Sequence, residues 1–175
     1  KVRGFTPMAE KMSLENLHEL INVYYGIMGN TVEKEGGFID KFIGDKLLAV
    51  FQSTDDSKGA KAALQAALQI QEQMVQLETS NDDWPPLSVG VGVNTGQVLI
   101  GNVGNESRLD FTVLGDAVNV ADRLQALAMG GEILCGDETA ALGEPEVKSF
   151  MRSTEVLAGR SSPSQVFQVE RRRKP

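Results

Sequence analysis

Leu14, Leu17, Ile21, Tyr24, Tyr25 and Met28 recur at three- and four-residue steps, which predicts an amphipathic helix over 14–34. Ser13 supplies its N-cap and Gly36-Gly37 its stop. Two apolar-rich runs follow, 38–43 and 47–51, joined by Ile43-Gly44-Asp45-Lys46; Gly-Asp between apolar runs is a hairpin signal. A second helix, rich in Ala, Leu and Gln, is predicted over 57–78, and Asn81 to Pro86 reads as a loop. Segments 87–94 and 97–103 are expected to pair with each other around Thr95-Gly96, with Gly90 and Gly92 marking a close packing approach or a bulge. A strand over 109–114 leads into a helix over 115–129. After it come a short strand at 132–135, a short helix over 137–142 capped by Asp137, and late strands at 154–157 and 165–169. This order implies an α+β fold, an antiparallel or mixed sheet with helices on one face, read without a strand ahead of Lys1.

Composition narrows the classes. The chain has 175 residues, 41% hydrophobic and 23% charged, which suits one globular domain over 1–175. A net charge of -7 argues against a broad nucleic-acid surface. Cys135 is the only cysteine and His18 the only histidine, so an internal disulfide, a Cys-rich zinc site and a multi-His metal cluster are excluded. No apolar run approaches the roughly 18 residues of a membrane span, and no signal peptide is evident. These features point to a cytoplasmic domain, or one on the cytoplasmic side of an anchored parent, cut from something longer. Cys135 and the methionines read as packing, His18 as a helix-surface residue, and the basic run Arg171 to Lys174 as a solvated end.

Three stretches carry candidate chemistry. In the first, Gly37 to Asp45, a hairpin places Asp45 at the tip of a tight turn. A carboxylate held there suits a hard divalent cation that shares its shell with phosphate. Gly-Asp tips are also common as plain hairpin turns. Lys41 is a cation between Ile39 and Ile43, open to a binding role or to simple snorkelling at a strand edge. The second stretch runs from Gly115 to Leu124. Ala117, Val120, Ala121, Leu124, Leu127 and Ala128 form its buried stripe, while Asp116, Asn119 and Arg123 share another face. Asn119 and Arg123 stand four apart, so an amide and a guanidinium neighbour each other. Such a pair can hold a sugar oxygen and a phosphate, or be an ordinary solvated face. The third is Gly4-Phe5-Thr6-Pro7-Met8, a turn into a helix start that offers N–H groups to an anion, or simply starts a helix.

Taken together and in order, these stretches resemble the class III nucleotidyl cyclase catalytic domain, most of all the bacterial adenylate cyclases. Arg3-Gly4-Phe5-Thr6 is similar to the family's opening motif, and Gly36 to Phe51 matches its central hairpin almost position by position. Phe111 to Leu124 matches its later catalytic segment, and 87–103 resembles the part between. The resemblance implies a ferredoxin-like βαββαβ core with a small C-terminal subdomain, and its first strand is absent from this chain. It also implies a head-to-tail homodimer with shared sites and a fused upstream sensor domain. The implied reaction is attack of a ribose 3′-oxygen on the α-phosphorus, with loss of pyrophosphate and two Mg²⁺ or Mn²⁺ ions as cofactors.

Site roles follow from the same resemblance. Asp45 matches a metal aspartate, and Gly4, Phe5 and Thr6 match the phosphate loop. Lys41 and Thr112 match the base-selecting pair, Asn119 the ribose-positioning residue, and Arg123 the arginine that stabilises charge on the α-phosphate. A lysine donor and a threonine acceptor fit adenine N1 and its 6-amino group, so the substrate expected is ATP. Two positions depart from the family. Lys1 stands where the first metal aspartate falls. Leu157-Ala158-Gly159 replaces a Leu-Lys-Gly whose lysine contacts the triphosphate, with Arg160 two residues on. A guanylate cyclase and a catalytically impaired nucleotide-binding or regulatory module are the alternatives.

Overall fold

A computed structural model describes residues 1–80, 84–105, 107–157 and 162–171. After a single turn of helix, α1 (Phe5–Ala9), comes the long helix α2 (Leu14–Lys34). The Ser13 hydroxyl accepts from the Asn16 N–H at 3.2 Å, and Glu15 and Lys34 sit at the ends that the helix dipole favours. Gly36 takes φ 82°. The Gly37 N–H then donates to the Val32 carbonyl and the Gly36 N–H to that of Glu33, a Schellman stop that needs a left-handed residue at Gly36.

Strands β1 (Phe38–Ile43) and β2 (Lys46–Val50) form the expected antiparallel hairpin, turning through Gly44 at φ 59°. Helix α3 (Asp56–Ser80) follows. Leu20, Tyr24, Met28 and Val32 of α2 bury with Ile70 and Met74 of α3 against Val2, Leu87 and Val89. Val2 forms a one-residue antiparallel bridge to Val89, and its N–H donates to the Asp45 carbonyl at 3.1 Å. It therefore lies between the hairpin and the segment at 88–90, where a ferredoxin-like core has its first strand.

The expected pairing of 87–94 with 97–103 does not form. β3 (Val91–Val93) instead pairs in parallel with β6 (Ile133–Gly136), while β4 (Leu99–Asn105) pairs antiparallel with β5 (Arg108–Leu114). Gly96 runs under helix α4 (Asp116–Leu127): a Cβ there would lie 2.8 Å from the Ala117 Cβ, so the chain passes beneath the helix and does not turn back. The reversal comes later, where the Asn105 side chain accepts from the Ser107 N–H and hydroxyl at 3.1 and 2.7 Å.

β7 (Val147–Glu155) and β8 (Ser164–Arg171) complete a four-stranded sheet of order β3-β6-β8-β7. β7 starts well before the expected 154, since pairing with β8 recruits a segment with little apolar alternation of its own. Helix α5 (Asp137–Gly143) starts at Asp137 but is not capped by it. The N-cap is Gly136, and no side chain bonds there. Helices α2 and α3 cover one face, as expected for the core, but α4 lies on the other. Ile133 and Cys135 pack with Leu64, Ala67 and Leu68 of α3, whereas Leu134 packs with Val120 and Leu124 of α4. With both faces covered, Cys135 is fully buried, and burial, then the Asp137 charge, pushes its thiol up to about 12. Among the described residues no helix is long and apolar enough to cross a membrane.

The close approach expected at Gly90 and Gly92 is present. A Cβ on Gly90 would meet the Arg3 guanidinium at 2.2 Å. A Cβ on Gly92 would lie 2.2 Å from the Ala121 carbonyl and 2.3 Å from the Gln125 nitrogen, both backbone atoms of α4 that cannot turn aside. Gly92→Ala is expected to cost about 3 kcal/mol, read as a lower urea midpoint. Gly101→Ala, where nothing lies within 4 Å of the added carbon, is expected to stay within about 0.5 kcal/mol of the parent.

Candidate active site

Asp45 begins as a backbone feature. Its carbonyl accepts from the Val2 N–H at 3.1 Å and the Tyr24 hydroxyl at 3.4 Å. The Tyr25 hydroxyl donates to the neighbouring Gly44 carbonyl, and its ring stacks on Phe42 with centroids 4.0 Å apart. Burial, then the Asp45 charge, raises the Tyr24 phenol above its ordinary range, so it remains a donor. The turn is thus pinned from α2, and the Asp45 side chain is mostly buried at 17% exposure. Its nearest cation is Lys1, with Nζ 3.9 Å from Oδ1. Among the described residues no three His, Cys, Asp or Glu side chains converge. One carboxylate shared with a triphosphate fits a single hard divalent ion. An ammonium at the other position does not fit a pair of ions held by two carboxylates.

Lys41 and Thr112 meet directly. Lys41 Nζ donates to Thr112 Oγ1 at 2.7 Å, joining β1 to β5. Asp40, which the sequence reading did not single out, completes the cluster. Its Oδ2 accepts from the Thr112 hydroxyl at 3.1 Å and lies 3.3 Å from Lys41 Nζ, while its Oδ1 accepts from the Val113 N–H at 3.1 Å. The Asp40 side chain is 1% exposed and that of Lys41 39%. Neighbours on a regular strand point to opposite faces. Here the register of β1 shifts between Ile39 and Lys41, leaving Asp40 as the extra residue of a bulge. That bulge lets Asp40 and Lys41 both reach Thr112.

Asn119 is exposed and Arg123 half-buried on α4, away from the buried Val120 and Leu124. Among the described residues neither side chain makes a hydrogen bond or ion pair. Asp122 beside them pairs with Lys46 of the hairpin at 2.7 Å. The far end of α4 is tethered by Arg3, whose guanidinium donates to the Ala128 carbonyl at 2.9 Å and to that of Gln125. Next to Arg3, Gly4 takes φ 66° and opens α1, so the N–H groups of Phe5 and Thr6 fall in a first turn that has no internal acceptors for them. Ala158, Gly159 and Arg160 lie outside the described residues.

The single chain therefore unites Lys41 with Thr112 and fixes Asp45 beside Lys1. It carries Asn119 and Arg123 on a separate helix. A concavity of about 590 Å³ lies by α1 and Trp84 and includes only Gly4 of the expected site. Large apolar side chains stand exposed on the β4–β5 hairpin: Leu109 and Phe111 on one face, Leu99 and Leu114 on the other.

Comparison with known proteins identifies the family and the fold. The profile of the family described as Adenylate and Guanylate cyclase catalytic domain matches residues 1–170. The chain is 41% identical over 128 residues to an adenylate cyclase of Anabaena cylindrica, which covers 72% of this chain and 26% of that protein. It is 28% identical over 173 residues to adenylate cyclase 1 of Rhizobium meliloti, covering 96% of this chain and again 26% of the relative. The chain thus spans only a small part of those proteins. Among solved structures, the adenylyl cyclase CyaB from P. aeruginosa superposes with a TM-score of 0.90 at 32% identity, covering 99% of this chain and 92% of that one. The guanylyl cyclase Cya2 superposes with a TM-score of 0.88 at 29% identity, covering 96% and 87%.

Proposed function

The chain belongs to the adenylate and guanylate cyclase catalytic domain family, and from that premise we propose that it converts ATP to 3′,5′-cyclic AMP and pyrophosphate at sites shared by two copies. The observation that carries the choice of ATP is the contact of Lys41 Nζ with Thr112 Oγ1 at 2.7 Å. The pair presents a donor beside an acceptor. Adenine offers N1 as acceptor and its 6-amino group as donor, while guanine offers the reverse, so a guanine in the same place leaves buried polar groups unpaired.

The remaining roles belong to named groups. In the reaction the ribose 3′-oxygen bonds to the α-phosphorus, its proton is released, and the bond to pyrophosphate breaks. Asn119 orients the ribose so that the 3′-oxygen stands in line. Arg123 donates to the α-phosphate oxygens as charge gathers on them. The N–H groups of Gly4, Phe5 and Thr6 hold the triphosphate. Asp45 would hold one divalent ion, Mg²⁺ or Mn²⁺, which would supply charge neutralisation to the phosphates. The exposed apolar residues of the β4–β5 hairpin support pairing with a second copy.

The test is product formation from ATP and GTP with Mn²⁺ or Mg²⁺. Cyclic AMP is the expected product, with kcat/KM at least about a hundredfold higher for ATP than for GTP. Equal or better use of GTP would overturn the base assignment. The ammonium of Lys1 beside Asp45 favours a second reading, a nucleotide-binding module with impaired turnover. ATP binding by calorimetry without product would select that reading.

A further inference from the structure

We propose that Asp40 is a positioning residue that fixes which way the Thr112 hydroxyl points its proton, and through it the preference for a 6-amino over a 6-oxo purine. The proposal rests on the adenine reading above and deepens it. A hydroxyl is normally ambivalent: it can donate to the 6-oxygen of guanine as readily as it accepts from the 6-amino group of adenine. Threonine alone is therefore a poor discriminator.

The cluster removes that freedom. An ammonium can only donate and a carboxylate can only accept. With Lys41 Nζ at 2.7 Å on one side of Thr112 Oγ1 and Asp40 Oδ2 at 3.1 Å on the other, the hydroxyl proton must go to Asp40. Thr112 is 7% exposed, so bulk water offers the proton little alternative. What remains for a ligand is one lone pair on Thr112 and the N–H of Lys41 that neither Thr112 nor Asp40 takes. That is an acceptor beside a donor. The Asp40 carboxylate cannot rotate out of this role, because its Oδ1 accepts from the Val113 N–H at 3.1 Å, a strand amide next to Thr112. The bulge at Asp40 puts the carboxylate on the same side as Lys41.

Asp40→Asn inverts the arrangement at constant shape. The Val113 N–H keeps the amide oxygen on its side, so the amide NH₂ faces Thr112 Oγ1 and donates to it. The threonine proton is then free to donate outward. The experiment measures competitive binding of three triphosphates to the full chain: ATP, purine riboside triphosphate, which has no 6-substituent, and 6-methoxypurine riboside triphosphate, which keeps N1 as acceptor but presents only an acceptor at position 6. The parent is expected to bind ATP best and the methoxy compound worst. In Asp40→Asn the gap between ATP and the methoxy compound is expected to narrow by at least about tenfold, with kcat/KM for ATP and GTP moving the same way. A variant that weakens all three ligands by one common factor would make Asp40 merely structural and overturn the proposal.

If Asp40→Asn does not fold, the parent series decides alone: methoxy binding equal to or tighter than that of the unsubstituted purine would mean that Thr112 donates. A parent that prefers GTP to ATP would instead sink the adenine reading itself, an outcome distinct from either of these.

Discussion

Replacing Arg123 with alanine is expected to lower kcat for cyclic AMP formation by at least about a hundredfold while leaving ATP affinity within a few-fold. Charge gathers on the α-phosphate oxygens only as the 3′-oxygen closes on phosphorus, so a guanidinium aimed there acts on the transition state far more than on the bound substrate. The fold should not register the change. Arg123 is only half-buried, and among the described residues it makes no hydrogen bond or ion pair. α4 is held by Val120 and Leu124 in the core and by the tether from Arg3 to the Gln125 and Ala128 carbonyls. A urea midpoint close to the parent's would therefore accompany the loss, which separates chemistry from unfolding. Arg123→Lys is expected to recover little, since a single ammonium cannot reproduce a planar fork on two phosphate oxygens. Initial rates over a range of ATP concentrations separate kcat from KM.

What the sequence made legible was mostly local. The Ser13 cap, the stop at Gly36-Gly37 and the Gly44 turn are each written in a few adjacent residues, and the structure has all three. The middle of the α4 stripe, Val120 and Leu124, follows from a 3.6-residue period, and the positions of Asn119 and Arg123 follow from it, whereas Leu127, expected in the stripe, stands exposed at the helix end. Partner choice was less legible. β3 is a three-residue strand whose parallel mate, β6, lies some forty residues on across β4, β5 and α4. No local pattern names that mate, so the nearer pairing looked natural. β7 extends well ahead of its apolar signal because only its first residue, Val147, is deeply buried, and its register comes from β8. Asp40 is not legible in the pattern because strand alternation assigns it to the face opposite Lys41, and only the bulge reverses that. The roles of Asp45, Lys41 and Thr112 rested on resemblance; the geometry adds that Lys41 and Thr112 touch and that a third residue holds them.

The most direct test of a site built from two chains is to mix two dead variants. Asp45→Asn removes the carboxylate at the hairpin turn, and Arg123→Ala removes the guanidinium on α4. Either homodimer carries the same defect in both of its sites. In a mixed dimer both defects fall in one site, and the other draws an intact Asp45 from one chain and an intact Arg123 from its mate. Random exchange makes about half the dimers mixed, each with one good site of two, so about a quarter of the parent activity should return on mixing equal amounts. Differently tagged chains recovered together would establish that exchange took place. A quarter of parental cyclic AMP formation is the predicted result; exchanged dimers no more active than the two variants measured apart would contradict a site shared between copies.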